Sequence, residues 1–180
     1  MAKQVKDVYG NALFEVALEE NKIDEYCNEA GVLLEAISEN HELVEMMTHP
    51  QIHEEEKLGV LKDIFESRLS PEMYGLLVMI AEKGHFADTQ DVLQYFLDRV
   101  KAHKNIGVAY VKTPMELSQT QRKEVEKKLL DTTDYVSFEM HYDVDESLIG
   151  GMVIRIGDRV VDSSIKTKLE RMSYQLSTGR

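Results

Sequence analysis

Residues 148–169 read LIGGMVIRIGDRVVDSSIKTKL, and three glycines lie there between apolar segments, ahead of a charged helical tail. Such glycines either expose backbone N–H groups to a phosphate or let the chain turn and pack closely. A nucleotide loop needs its glycines between a strand and a helix N-terminus. Here Gly150 and Gly151 precede a predicted strand, Met152 to Ile156, and Gly157-Asp158 has the form of a two-residue hairpin turn. We interpret all four as structural turn residues.

The sequence around this segment alternates between strand and helix patterns. Ile106 to Lys112 is short and β-branched, and residues 136–142 alternate apolar and polar side chains, as a half-buried strand does. Between them, Ser118 and Gln121 have the spacing of a capping box that opens a helix. Ser163 or Ser164 is expected to cap a last helix. Its apolar residues share one narrow face: Ile165, Leu169, Met172 and Leu176.

The first hundred residues have only helical periodicity. Apolar residues recur at intervals of three and four, in six segments separated by short connections. Pro50 is expected to end the third segment, and Ser70-Pro71 to begin the fifth. The predicted fold class is therefore mixed: an N-terminal six-helix bundle over residues 1–105, followed by a small α+β domain over residues 106–180.

The charge of the chain is negative and unevenly distributed. The net charge is -12; residues 1–104 carry 10 Lys+Arg against 21 Asp+Glu, and residues 105–180 carry 11 against 12. Such acidity disfavours nucleic acid and anionic membrane surfaces as partners. The acidic first part indicates either a basic partner or no more than a contribution to solubility.

Two further patterns bear on location. Cys27 is the only cysteine, so an intrachain disulfide cannot form. The N-terminus lacks the apolar core of a signal peptide, and the longest uncharged apolar segment, residues 73–81, is too short to span a bilayer. We expect an intracellular protein with no direct membrane insertion.

Motifs for catalysis or metal binding are weak. His49 and His53 have the spacing of a helical metal pair, but Pro50 interrupts the helix that they would need. The acidic segment after Tyr142 resembles the start of a calcium loop, yet its sixth position is Leu148 instead of glycine. We expect no catalytic residue, no metal and no cofactor, and hence a protein that is not an enzyme.

Two helical regions carry more apolar residues than one buried stripe uses. They are the first helix, with Tyr9, Ala12 and Leu13, and the helix after Pro71, with Leu76 and Met79. Ala12 and Gly75 are small enough to let a partner helix approach closely. Together with the narrow face of the last helix, these features favour an adaptor that binds helices.

The segment from Ser147 to Asp158, continuing through residues 160–166 to Arg171, resembles the C-terminal signature of the F-type ATP synthase delta subunit family. This family includes the mitochondrial oligomycin-sensitivity conferral protein. Further similarity lies in residues 9–14, in Pro50 before an acidic helix and in residues 82–84, so that it covers almost the whole chain. Gly10, Ser163 and Lys166 depart from the residues that are common in the family.

The resemblance implies a non-catalytic stator subunit that links the catalytic head to the peripheral stalk, resists rotor torque and so couples proton flow to ATP synthesis. The N-terminal bundle would bind the N-terminal segments of the alpha subunits through Tyr9, Ala12, Leu13, Leu76 and Met79. The C-terminal domain would bind the C-terminal helices of the b subunits through its last helix, listed above. The complex would lie at the cytoplasmic face of the bacterial cell membrane, with this chain as a peripheral part.

Two alternatives remain open at this point. The chain could be a two-domain adaptor that binds amphipathic helices in another intracellular complex. It could also be a small nucleotide-binding protein that uses the region around Gly150.

Overall fold

The computed structural model describes residues 2–178, and side chains for residues 5–175. It divides into two compact units, Met1–Val100 and Lys101–Arg180. In the described residues the first unit is helical, and the second combines helices with a four-stranded sheet.

The helices of the first region begin and end close to where the sequence predicts. Their bounds are α1 (Ala2–Glu19), α2 (Ile23–Glu39), α3 (His41–Thr48), α4 (Glu54–Phe65), α5 (Pro71–Glu82) and α6 (Thr89–His103). A short 3-10 turn, Phe86–Asp88, precedes α6, and it is absent from the sequence prediction.

Local chemistry explains the start of α5. The Ser70 hydroxyl accepts the backbone N–H of Met73, and Pro71 occupies the first helical position, where a missing N–H is harmless. The Glu29 carboxylate accepts two further bonds, from the Ser70 amide at 3.0 Å and from its hydroxyl at 2.7 Å. This long-range contact joins α2 to the first turn of α5.

The core of the first unit is one continuous cluster of apolar side chains. Tyr26, Leu33, Leu77 and Phe96 are at most 1% exposed and belong to one apolar cluster. The α1 helix packs against both α2 and α5. Burying each large apolar side chain contributes about 1.5–3 kcal/mol, so this cluster is the main stabilising element of the unit.

Gly10 has a packing role that the sequence does not reveal. It is buried on α1, and a Cβ there would lie 2.5 Å from Cδ1 of Tyr95 on α6. This close approach to an aromatic ring gives a physical reason for glycine at position 10.

The second unit is built on a mixed sheet. Its elements are β1 (Ile106–Thr113), α7 (Gln119–Thr132), β2 (Ser137–Val144), β3 (Val153–Ile156), β4 (Arg159–Asp162) and α8 (Ile165–Thr178). The strand order is β2-β1-β3-β4, with β1 and β2 parallel and the other two pairs antiparallel. A parallel pair needs a crossover, which α7 supplies.

One face of the sheet is covered by α7. Val125 and Leu129 of this helix pack against Ala109 and Val111 of β1 and Phe138 of β2. The capping box of Ser118 and Gln121 is present and starts α7. Among residues 2–178, no helix is both long enough and apolar enough to cross a lipid bilayer.

Candidate partner-binding surfaces

The glycine segment at residues 150–151 is a tight crossing of two backbones. Gly151 has φ +79°, and a Cβ there would lie 2.5 Å from the Ser163 carbonyl oxygen. A Cβ at Gly150 would lie equally close to Cδ1 of Ile165. The Gly150 amide donates to the Leu148 carbonyl, and the Gly150 carbonyl accepts the Ile165 amide at 2.9 Å. Both backbone polar groups of Gly150 are therefore engaged within the chain, and the segment leads into a strand instead of the helix N-terminus that a phosphate loop needs.

The Gly157-Asp158 turn joins β3 to β4. Ile156 pairs directly with Arg159, so only two residues form the connection. Gly157 has φ +54°, a left-handed conformation that glycine adopts without steric strain. The turn residues of this region therefore shape the chain where it enters α8.

The start of α8 is held by a small polar network. The Asp162 carboxylate accepts the Ser164 amide at 2.8 Å and the Thr167 hydroxyl at 2.7 Å. The Thr167 hydroxyl bond, followed by those from Ser164, holds the pKa of Asp162 below its usual value. The Ser164 hydroxyl accepts the Thr167 amide, which makes Ser164 the capping residue. The sequence left Ser163 and Ser164 as alternatives for this role.

The α8 helix leaves much of its apolar face uncovered. Ile165, Leu169 and Met172 are 43%, 53% and 59% exposed. None of the described side chains of α8 is buried. Leu176 lies on the same helix, but its side chain falls outside the described residues. An isolated 14-residue helix is marginally stable in water, so such a face is typical of a helix that packs on another chain.

A second exposed surface lies on α1 and α5, two helices that pack against each other. Val8 is 63% exposed on α1, Ala12 is exposed one turn later, and Met79 is 50% exposed on α5. Gly75 is also exposed, and a Cβ there would meet open space. Tyr9 is half-buried and packs against the core. Val8 was not among the predicted contact residues, although its i, i+4 spacing from Ala12 was visible.

Two of the predicted contact residues are not accessible at this surface. Leu13 is 3% exposed and Leu76 is 8% exposed, and both belong to the core of the first unit. Periodicity identifies an apolar stripe, but it does not distinguish its buried centre from its exposed edge. Any direct contact on α1 and α5 must therefore use the exposed residues beside them.

The histidines and acidic residues that were weighed as metal ligands lie in separate local settings. His49 follows the end of α3 and His53 precedes α4, so no single helix carries both. Asp145 accepts the Ser147 amide at 3.0 Å, and Asp143 lies 3.6 Å from the Lys112 ammonium. Within residues 2–178, no three metal-ligating side chains of the His, Cys, Asp and Glu types come together.

The sheet face opposite α7 carries a feature that sequence reasoning missed. His141 stacks on Tyr110 with ring centroids 4.9 Å apart, and the Arg155 guanidinium lies 4.9 Å from the centre of the same tyrosine ring. The three residues are direct neighbours across β2, β1 and β3. Predicting that these three residues are neighbours requires the strand register, and no local sequence pattern gives that register.

Comparison with known proteins identifies the family. A model described as "ATP synthase delta (OSCP) subunit" matches residues 5–176. The "ATP synthase subunit delta" of Lachnoclostridium phytofermentans is 46% identical over 176 residues, which cover 98% of this chain and 97% of that protein. The protein with the same description from Brevibacillus brevis is 33% identical, covering 97% and 99%.

A solved structure is similar in fold. A chain in the cryo-EM structure of the Toxoplasma gondii mitochondrial ATP synthase hexamer superposes with a TM-score of 0.73 and 20% identity, covering 96% of this chain and 97% of that one. The matches to the family model and to the relatives extend over both units. The chain therefore belongs to the ATP synthase delta (OSCP) subunit family and is a non-catalytic subunit of ATP synthase.

Proposed function

We propose that this subunit is a stator part that links the catalytic head of ATP synthase to its peripheral stalk. Residues 1–105 act as a six-helix bundle that binds the N-terminal segments of the alpha subunits. Residues 106–180 bind the C-terminal helices of the b subunits. The subunit is a peripheral component at the cytoplasmic face of the bacterial cell membrane. By resisting rotor torque it couples proton flow to ATP synthesis.

One observation carries this proposal: each unit exposes an apolar helical surface that its own core leaves uncovered. On the first unit the surface comprises Val8, Ala12, Gly75 and Met79. On the second it is the face of α8 already described. A chain that joins two bodies needs one such surface for each of them.

The mechanical role sets the strength that each contact needs. The stator must stay attached through every rotor step, and nanomolar attachment corresponds to about 12 kcal/mol. An interface that buries roughly 1,200–2,000 Å² supplies such affinity when its centre is apolar and well packed. Small side chains at Ala12 and Gly75 favour this packing because they let a partner helix approach the backbone.

The head contact is tested by Ala12→Lys, with Ala102→Lys as the matched control. Both alanines are exposed on helices, so both variants should fold. We expect Ala12→Lys to weaken binding of a peptide with the alpha subunit N-terminal sequence by at least about tenfold, since it places a bulky, unpaired charge in an apolar contact. Isothermal titration calorimetry measures both affinities. Equal affinities for the two variants would refute the α1 contact.

Gly75→Ala provides a sharper version of this test. Gly59 on α4 is the control, because a Cβ at either position would meet open space. Both substitutions should stabilise the isolated chain by up to about 1 kcal/mol, as alanine is the better helix former. Only Gly75→Ala should also weaken binding of the alpha peptide. If Gly75→Ala stabilises the chain and leaves the affinity for the alpha peptide unchanged, the peptide does not bind at Gly75.

A further inference from the structure

We infer that the second unit recognises an amphipathic helix with an acidic border, and that Ile149 belongs to the same contact surface. The inference rests on the proposed function only for the source of this helix, the b subunit. The surface consists of Ile149, Ile165, Leu169 and Met172, flanked by Lys166 and Lys168.

The spacing of the apolar residues of α8 defines a coiled-coil type of contact. Ile165, Leu169 and Met172 are separated by four and three residues, which is the d-a-d pattern of a heptad. In this register Lys166 occupies an e position and Lys168 a g position. These positions border the apolar seam on its two sides, and their side chains set the choice of partner through interhelical ion pairs.

The border of the seam contains cations and no acid. The next e and g positions are Ser173 and Gln175, and Glu170 falls at a b position, away from the contact. Lys166 and Lys168 are exposed, and neither forms a direct ion pair in the part of the chain that the structure describes. The charge of Lys166 acts at longer range on Asp145, whose pKa is lowered mainly by hydrogen bonds from Ser147 and to a smaller extent by Lys112 and Lys166. A complementary helix should therefore carry Glu or Asp where it faces these two lysines.

The same charges disfavour a second copy of α8 as the occupant. In an antiparallel pair, e positions face e positions and g positions face g positions, which would bring lysine against lysine. In a parallel pair, Lys168 would face Ser173 of the other copy. Neither arrangement supplies an opposite charge, so a different, acidic helix is the better partner.

Ile149 provides an independent reason to place a partner here. It has φ 65° and ψ -41°, and the Gly150 amide donates to the Leu148 carbonyl at 2.6 Å across it. This is a γ-turn of the strained, positive-φ kind, which is rare for a β-branched residue. The side chain contributes little to the packing of its own unit, because it is 68% exposed. It lies next to Gly150, which contacts Ile165 at the start of the seam. Backbone strain at an exposed apolar residue is a feature that binding sites often share.

The charge of the partner is tested with two designed helical peptides. They share leucine at the a and d positions and differ only at e and g, with glutamate in one and lysine in the other. We expect the full chain to bind the glutamate peptide at least tenfold more tightly, with an affinity that falls as salt rises. The double variant Lys166→Glu, Lys168→Glu should lose this preference. A matched pair on α7, Lys123→Glu with Lys127→Glu, should keep it.

A soluble C-terminal segment of the b subunit forms the second arm of the experiment. The lysine variants should weaken its binding about tenfold relative to the α7 control pair. Equal binding of the two designed peptides to the wild-type chain would overturn the inference about charge. If the glutamate peptide is preferred and the b segment fails to bind, the inference stands and the assignment of the b subunit as partner is refuted.

The role of Ile149 is tested by the combined effect of one substitution on stability and on peptide binding. Ile149→Gly should raise the urea midpoint of the isolated chain by relieving the backbone, and weaken peptide binding about threefold to tenfold by removing an apolar contact. Asn21→Gly is the control, since Asn21 also has a positive φ (58°) but lies in the first unit. It should raise the midpoint and leave binding unchanged. A lower midpoint for Ile149→Gly, or unchanged binding, would refute the contact.

Discussion

The two units bury apolar surface in different ways. In the first unit, helices α2 to α6 each place at least one residue in a shared core. In the second unit, α7 covers one face of the sheet, the other face carries exposed side chains such as Tyr110 and Arg155, and α8 contributes no buried residue among its described side chains. The first unit is therefore stabilised by its own core, whereas α8 of the second unit keeps apolar side chains that its own unit does not cover.

The largest expected effect is on the free energy of unfolding, and it is tested with one leucine substitution at a buried position of α5 and one at an exposed position of α8. Leu77→Ala in the first core should lower the free energy of unfolding by about 3–4 kcal/mol, because a fully buried leucine leaves a cavity. Leu169→Ala on α8 should change it by less than about 0.5 kcal/mol. Urea denaturation followed by circular dichroism measures both. Similar losses in the two variants would mean that α8 is packed within the free chain.

The next effect compares two glycines that both have a positive φ. Gly151→Ala should destabilise the second unit by about 2 kcal/mol or more, since its Cβ would collide with the Ser163 backbone. Gly157→Ala has open space and should lower stability by only about 1 kcal/mol, from the left-handed backbone alone. Thermal unfolding of the two variants separates the cost of the steric collision from the cost of the left-handed backbone. Equal melting temperatures would show that the crossing beside Gly151 relaxes freely.

A smaller effect tests the packing of α1 on α6. Gly10→Ala should destabilise the first unit by about 1 kcal/mol, as displacement of the Tyr95 ring outweighs the gain in helix propensity. Gly59→Ala should have the opposite sign, because nothing lies near its Cβ. Chemical denaturation of both variants checks the signs. A stabilised Gly10→Ala variant would refute the close contact.

The smallest effect concerns pH and the second unit. A hydrogen bond from Lys101 at 2.7 Å, with a further contribution from His141, lowers the pKa of Glu139. A lowered folded-state pKa contributes stability above the unfolded value of about 4.3, and this contribution disappears as pH falls through the folded-state value. Since Glu139 is 40% exposed, the contribution is only a few tenths of a kcal/mol, about the size of a solvent-screened pair.

Glu139→Gln isolates this contribution. The variant should be slightly less stable than the wild type at pH 7, and the difference should shrink by pH 3. Glu124→Gln, on the exposed side of α7, serves as control. A difference that stays constant between the two pH values would show that Lys101 does not act through the charge of Glu139.

Much of the local structure was predictable because its causes are local. Proline positions, the Ser70 and Ser118 caps and the Gly157-Asp158 turn each depend on residues a few positions apart. The helix ends and the β3–β4 hairpin therefore follow the predictions closely. The family resemblance implied a non-catalytic ATP synthase delta subunit, and the family match confirms this membership.

The contact residues were harder to predict because exposure depends on distant parts of the chain. Leu13 and Ala12 are adjacent in the sequence, yet one is buried and the other exposed. Gly10 has a packing role only because Tyr95, eighty-five positions away in the sequence, lies against it. Ile149 had no distinguishing pattern at all, since its unusual backbone appears only in three dimensions.

By itself, the sequence determined where the helices and strands lie, how the charge divides along the chain and which family the protein belongs to. These properties depend on side-chain periodicity, short-range capping and residue identity. Only the tertiary structure decided which apolar residues remain exposed, which strands are neighbours and why a Cβ is unfavourable at Gly10 and Gly151. Those properties arise from contacts between residues far apart in sequence, where packing space, not local preference, sets the outcome.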